Sequence, residues 1–201
     1  MSLHGDALAA LEAWHPPDGE QEQLRRRYVA HLRARADGPA VGPAGPAAGL
    51  ARSDVPAHVT AGALVLSADG SQVLLTLHAK AGRWFHLGGH CEPEDVTLAG
   101  AALREATEES GIPDLTLEPW LDAGPLHLDA HTVGFCGEHA EVEHLDVRYL
   151  AVAPPGARPV VSEESIDVRW WPATDLPSDE PGLHRMVELA LARAQRPSAA
   201  I

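Results

Sequence analysis

The chain has 201 residues, with 15 Lys+Arg against 29 Asp+Glu and a formal net charge of −14. That length suits one domain with an extension or two small domains, and a hydrophobic content of 45% is enough to build a core. Lys80, the only lysine, lies between Ala79 and Ala81, which excludes a Gly-Lys-Ser/Thr phosphate loop. The acidic balance excludes a general coat for nucleic-acid polymers, but not a small phosphate ligand met through a metal held by carboxylates.

The cysteines, Cys91 and Cys136, have no C-x-x-C spacing, so neither a disulfide framework nor a four-cysteine zinc site is expected. Asp6, Glu12, Asp18, Glu20 and Glu22 make the first thirty residues unlike a secretory signal. Apolar runs such as Ala61 to Leu66 fall far short of the roughly 18–20 residues of a membrane helix. The expectation is a cytoplasmic protein with no membrane partner.

In chain order, residues 6–36 read as two helices. Asp6 is a candidate N-cap for the first, Pro16-Pro17 breaks it, and Asp18 caps a second in which Leu24, Tyr28 and Leu32 recur every four residues. Two helices alone bury little, so residues 1–36 should dock on the main domain or on a second subunit, which leaves a homodimer open. Residues 37–56 have the Gly/Pro/Ala composition of a linker, as in Gly42-Pro43-Ala44-Gly45-Pro46. The main domain, 57–201, opens with strands Val59–Leu66 and Val73–Leu77 around a turn at Asp69-Gly70. A short strand from Trp84 to Leu87 leads into Gly88-Gly89, and Thr97–Ser110 reads as a helix closed by Gly111. Strands follow at Leu115–Leu117, Pro125–Val133, Asp146–Val152 and Ile166–Trp171, and a last helix at Leu183–Ala194. The fold class is therefore α/β and layered.

On the Thr97–Ser110 helix, Glu105, Glu108 and Glu109 stand at i, i+3 and i+4 and share a face, opposite Ala99, Leu103, Ala106 and Ser110. Such a trio is either a solvated acidic edge or an oxygen-ligand site for a hard divalent cation. The stretch from Gly88-Gly89-His90-Cys91-Glu92-Pro93-Glu94-Asp95 to Leu103-Arg104-Glu105-Ala106-Thr107-Glu108-Glu109-Ser110-Gly111-Ile112 resembles the Nudix box, G-x5-E-x7-R-E-U-x-E-E-x-G-U. The second half fits throughout. In the first half Asp95 stands where the count from Gly89 expects Glu, and the loop before the helix is one residue longer than the pattern. Glu92, Glu94 and Asp95 thus all stay candidates for the structural carboxylate of the loop.

The resemblance implies a Nudix α/β/α sandwich with a mixed sheet, here carrying N-terminal helices. It further implies hydrolysis of the diphosphate linkage in a nucleoside diphosphate derivative with Mg²⁺ or Mn²⁺. By position, Glu105, Glu108, Glu109 and the carbonyl of Gly88 would hold metal, Arg104 would orient a glutamate, and Glu105 is the simplest choice of base. The segment from His78 to Trp84 resembles the MutT-like branch, with ADP-ribose-type substrates also open. Arg83, Trp84 and Arg148 are candidates for substrate contact; Trp84 serves equally as core.

Twelve histidines raise a metal question of their own. His127, Asp129 and His131 alternate on one strand face, as do His144, Asp146 and Arg148, and either row could be a second metal or phosphate site or ordinary polar surface. His90 and Cys91 adjoin the Gly-Gly loop; with no cation beside it in sequence, Cys91 reads as a bystander. Glu163 and Glu164 could add a ligand or be surface acids. Two other readings compete with the hydrolase: a non-catalytic nucleotide-binding or regulatory Nudix domain, and a zinc protein using the histidine-rich strands.

Overall fold

The computed structural model describes residues 2–37, 48–117, 124–134, 136, 141–162 and 165–194. The Gly42–Pro46 run and the Glu163-Glu164 pair lie outside the described residues.

Helix α1 (Leu3–Ala13) is capped by Ser2, whose side chain accepts from Gly5 N–H. Asp6 is thus not the N-cap of its own helix. It accepts instead from Leu98 N–H at 2.7 Å, the first residue of α3 (Leu98–Ser110), where a carboxylate meets the positive helix end. Helix α2 (Gly19–Asp37) begins as expected, with Asp18 accepting from Gln21 N–H.

Strands β1 (Ala57–Leu66) and β7 (Val142–Val152) form the parallel centre of the sheet, and each divides its outer edge between two neighbours. The end of β1 pairs with β2 (Gln72–His78), and its middle pairs with β4 (Leu87–His90). The end of β7 pairs with β5 (Thr116–Leu117), and the rest with β6 (His127–Val133). Strands β3 (Trp84–Phe85) and β8 (Ser165–Pro172) flank β2. The sheet is therefore mixed and forked, with a β4-β1-β7-β6 branch at one end.

Side-chain alternation sorts the layers. Val59, Ala61, Ala63 and Val65 of β1 face α3, which lays down Leu98, Ala101, Ala102 and Ala106. Leu64 and Leu66 face α4 (Pro181–Ala194), meeting Leu183, Met186, Val187 and Ala190. This is the α/β/α layering that the sequence resemblance implies. The N-terminal helices dock on the domain itself: Leu3, Ala7, Leu11, Tyr28 and Leu32 share the core on the α3 side. Gln21 completes the free edge of β6, donating to Leu128 C=O and accepting from Leu128 N–H. The Tyr28 hydroxyl donates to Asp129 C=O at 2.6 Å. Trp170 and Trp171 both pack, on opposite faces of β8. No helix among the described residues is long and apolar enough to cross a membrane.

Candidate active site

Thr97 caps α3, its side chain accepting from Gly100 N–H, and Gly111 closes it with φ 65°, so the helix ends where Gly111 predicted and Thr97, read as its first residue, is its N-cap. Its three glutamates are graded by burial. The Glu108 side chain is 59% exposed and that of Glu105 15%, while Glu109 is buried and accepts from Gly88 N–H at 2.8 Å.

Arg104 is the hub of the site. It donates to Glu105 at 3.0 Å and to Glu108 at 3.1 Å, while its other nitrogens clamp Asp95 at 3.1 and 2.9 Å and reach the His90 carbonyl at 3.0 Å. Asp95 also accepts from Glu92 N–H. Burial alone would raise the Asp95 carboxyl, but Arg104 and the Glu92 N–H together hold it below its ordinary value. Glu92 stands 3.9 Å from Arg104 and is largely exposed, and Glu94 is exposed. The structure thus brings Asp95 into the loop, at the position where the extra residue had left three candidates.

Two glycines seat this loop. A Cβ on Gly88 (φ 157°) would meet Gly62 Cα at 2.5 Å, so β4 lies against β1 only because no side chain intervenes. A Cβ on Gly89 would come 2.7 Å from the Glu105 carboxylate. The Gly89 backbone therefore lies directly against the Glu105 carboxylate.

The model of the NUDIX domain matches residues 56–190. The chain belongs to the Nudix family. Similar solved structures include a NUDIX-family hydrolase from Clostridium perfringens, 25% identical with a TM-score of 0.54, over 69% of this chain and 98% of that one. An Ap4A hydrolase from C. elegans is 21% identical with a TM-score of 0.52, over 68% and 96%. The E. coli dihydroneopterin triphosphate pyrophosphohydrolase is 17% identical with a TM-score of 0.52, over 67% and 95%. The last two show the fold. No curated protein matches the sequence significantly.

The other candidates in this Nudix domain separate by environment. Trp84 is half-buried, edge-on to Trp171 at 5.2 Å, against the α4 core, with the Arg169 guanidinium over its ring. Arg83 is exposed and lies 6.0 Å over Phe85. Arg148 is 5% exposed and binds Asp129 at 2.9 Å and Asp146 at 3.1 Å. Burial pulls the Asp146 carboxyl upward, but Arg148 and the nearby histidines hold it well below its usual range. Asp129, His131 and Asp146 offer ligand atoms within 4.8 Å of one another, but the Arg148 guanidinium already supplies the cation between the two aspartates. Cys91 is buried, and desolvation pushes its thiol up to about 12, which fits the bystander reading.

Sequence reasoning missed one grouping. His58, His90 and His144 meet Cys136 on the sheet face opposite α3, with all four ligand atoms within 4.8 Å of one another. Only strand pairing could have revealed it, because the four residues come from four segments.

Proposed function

We infer that this Nudix domain is a divalent-metal-dependent hydrolase that cuts the diphosphate linkage of a nucleoside diphosphate derivative. The observation that carries this is the Arg104 hub, which holds Glu105 and Glu108 in one cluster while Gly88 N–H holds Glu109. A merely solvated acidic edge needs no such arrangement. The donor set suits Mg²⁺ or Mn²⁺: three carboxylates of one helix, with the Gly88 carbonyl assigned to them by its position in the Nudix box, all hard oxygen. A divalent ion held by these groups supplies neutralisation of phosphate charge and a lowered pKa for bound water.

The chain's own residues do the rest. Arg104 offsets part of the repulsion among the glutamates and fixes their rotamers against Asp95. Glu105, held beneath Gly89, is the group assigned to take the proton from the attacking water. Arg83 is exposed and open to a substrate, and Trp84 presents what its half-burial leaves free. Arg148, engaged by two aspartates, would act by shaping the sheet face rather than by offering a free charge.

The test is a panel of nucleoside triphosphates, dinucleoside polyphosphates and nucleoside diphosphate sugars incubated with Mg²⁺. Turnover of at least one class is expected, and Glu108→Gln should lower it on the order of a thousandfold, about 4 kcal/mol of barrier, with the fold intact by circular dichroism. Equal turnover in the variant would sink the reading. Binding without turnover across the panel would favour a regulatory Nudix domain.

A further inference from the structure

On the face of the β4-β1-β7-β6 branch opposite α3, strand register brings three histidines together. His58 of β1 is the direct partner of His144 on β7. His90 pairs with Thr60 of β1, two residues along from His58 and on the same face. The three rings stand 5.0–5.1 Å apart, centroid to centroid. Cys136, three residues beyond the end of β6, closes the group from a fourth segment: its Sγ lies 3.2 Å from His90 Nε2 and 3.8 Å from His58 Nε2.

We propose that His58, His90, His144 and Cys136 form a closed, four-coordinate zinc site, separate from the glutamates of α3 and structural in role. Zinc bound by imidazole at roughly 2.0–2.1 Å and thiolate at roughly 2.3 Å implies nitrogen–sulfur edges of about 3.6 Å in a tetrahedron. The two observed separations bracket that value, and every ligand atom lies within 4.8 Å of the others.

The surroundings are built for it. His58 Nδ1 lies 2.9 Å from the Asp54 carbonyl. A carbonyl only accepts, so Nδ1 carries the proton and the Nε2 lone pair is left toward the cluster, the usual orienting contact of a metal-bound histidine. His144 Nε2 is buried without a hydrogen-bond partner, and a metal would satisfy it. Nitrogen and sulfur donors select zinc over the magnesium of an oxygen site. Cys136 is 2% exposed beneath the rings, which leaves it no route to a substrate as a nucleophile.

Four protein ligands leave no open position, as in structural rather than catalytic zinc sites. The consequence is mechanical. The ion would tie β4, β1 and β7 to the segment that carries Cys136. It would thereby fix His90, whose carbonyl accepts from Arg104, on the same short strand as Gly88 and Gly89.

Cobalt tests this directly. The full chain, stripped by a chelator and titrated with Co²⁺, should show one equivalent with the intense visible bands of tetrahedral coordination and a thiolate-to-metal charge-transfer band in the near ultraviolet, distinct from the weak octahedral bands of any ion on the α3 carboxylates. One equivalent of Zn²⁺ should bleach both. The charge-transfer band should vanish in Cys136→Ser and survive in Cys91→Ser, and Glu108→Gln should leave the spectrum unchanged. Weak octahedral bands with no charge-transfer band in the unaltered protein would overturn the proposal, whether or not any variant folds. So would a band that depends on Cys91.

Discussion

Two faces of one sheet carry ligand groups assembled in opposite ways. Beneath α3, three carboxylates come from five consecutive residues of one helix, held by Arg104 at 3.0 and 3.1 Å and by Gly88 N–H at 2.8 Å. On the opposite face, three imidazoles and a thiol come from four segments, with their ligand atoms within 4.8 Å of one another. The first set is hard, partly exposed and adjacent to open loop. The second is softer and half-buried or buried. On the two readings proposed above, the difference separates a site that would do chemistry from one that would hold shape, and both hang on β4.

The sharpest way to break this comparison is at β4, where adjacent glycines face opposite sides. Gly88→Ala would drive a Cβ to 2.5 Å from Gly62 Cα and 2.9 Å from Ala61 O, both backbone, at a residue with φ 157°. Neither strand can yield without losing its pairing. The expected loss is roughly 3 kcal/mol of folding stability, read as a lower denaturant midpoint, with both sites impaired together. Gly89→Ala should behave differently. Its Cβ would meet only the end of the Glu105 side chain at 2.7 Å, which can swing away. Stability should change little, while turnover falls on the order of tenfold, about 1.4 kcal/mol of barrier, and cobalt binding on the other face persists. Equal damage from the two variants would mean that the faces are not independently built.

The same contrast explains what the sequence disclosed. Helix periodicity is local, so Glu105, Glu108 and Glu109 were placed on one face from spacing alone, and Thr97 and Gly111 marked the ends of α3. The layered α/β class followed from element order, and most strands lay where alternation put them. Asp95 was harder: the longer loop left three acids eligible, and only the fold shows which reaches Arg104. Asp6 was assigned to its own helix but reaches α3, a contact across 92 residues that no local rule contains. The histidine cluster was out of reach for the same reason. The rows His127-Asp129-His131 and His144-Asp146-Arg148 were visible as alternation, but the pairing of β1 with β7 that sets His58 beside His144 is a matter of register. Register depends on how the whole sheet packs.

A smaller effect on stability than that of Gly88→Ala concerns His127, which shares the histidine-rich face but stands outside the proposed zinc ligands. It is buried, and desolvation, reinforced by Arg148 and Arg185 and opposed by Asp129 and Asp18, lowers its pKa from 6.5 to about 4. The folded-state value lies below the unfolded one, so between these two pH values the unfolded chain binds the extra proton. Stability contributed by the neutral ring is therefore complete above about pH 6.5 and is lost as pH falls toward 4. Each pH unit between the folded and unfolded values is worth roughly 1.4 kcal/mol, and relaxation of the surroundings on protonation brings the loss to the order of 2 kcal/mol. Urea midpoints of the wild type and His127→Gln, compared from pH 7 to pH 4, isolate this group from the other histidines. The two profiles should converge as pH falls, because the variant has no imidazole to protonate at this position. Parallel profiles would show that this end of the face is wet enough to accept the proton, and that the enclosure inferred for the histidines is confined to those around Cys136.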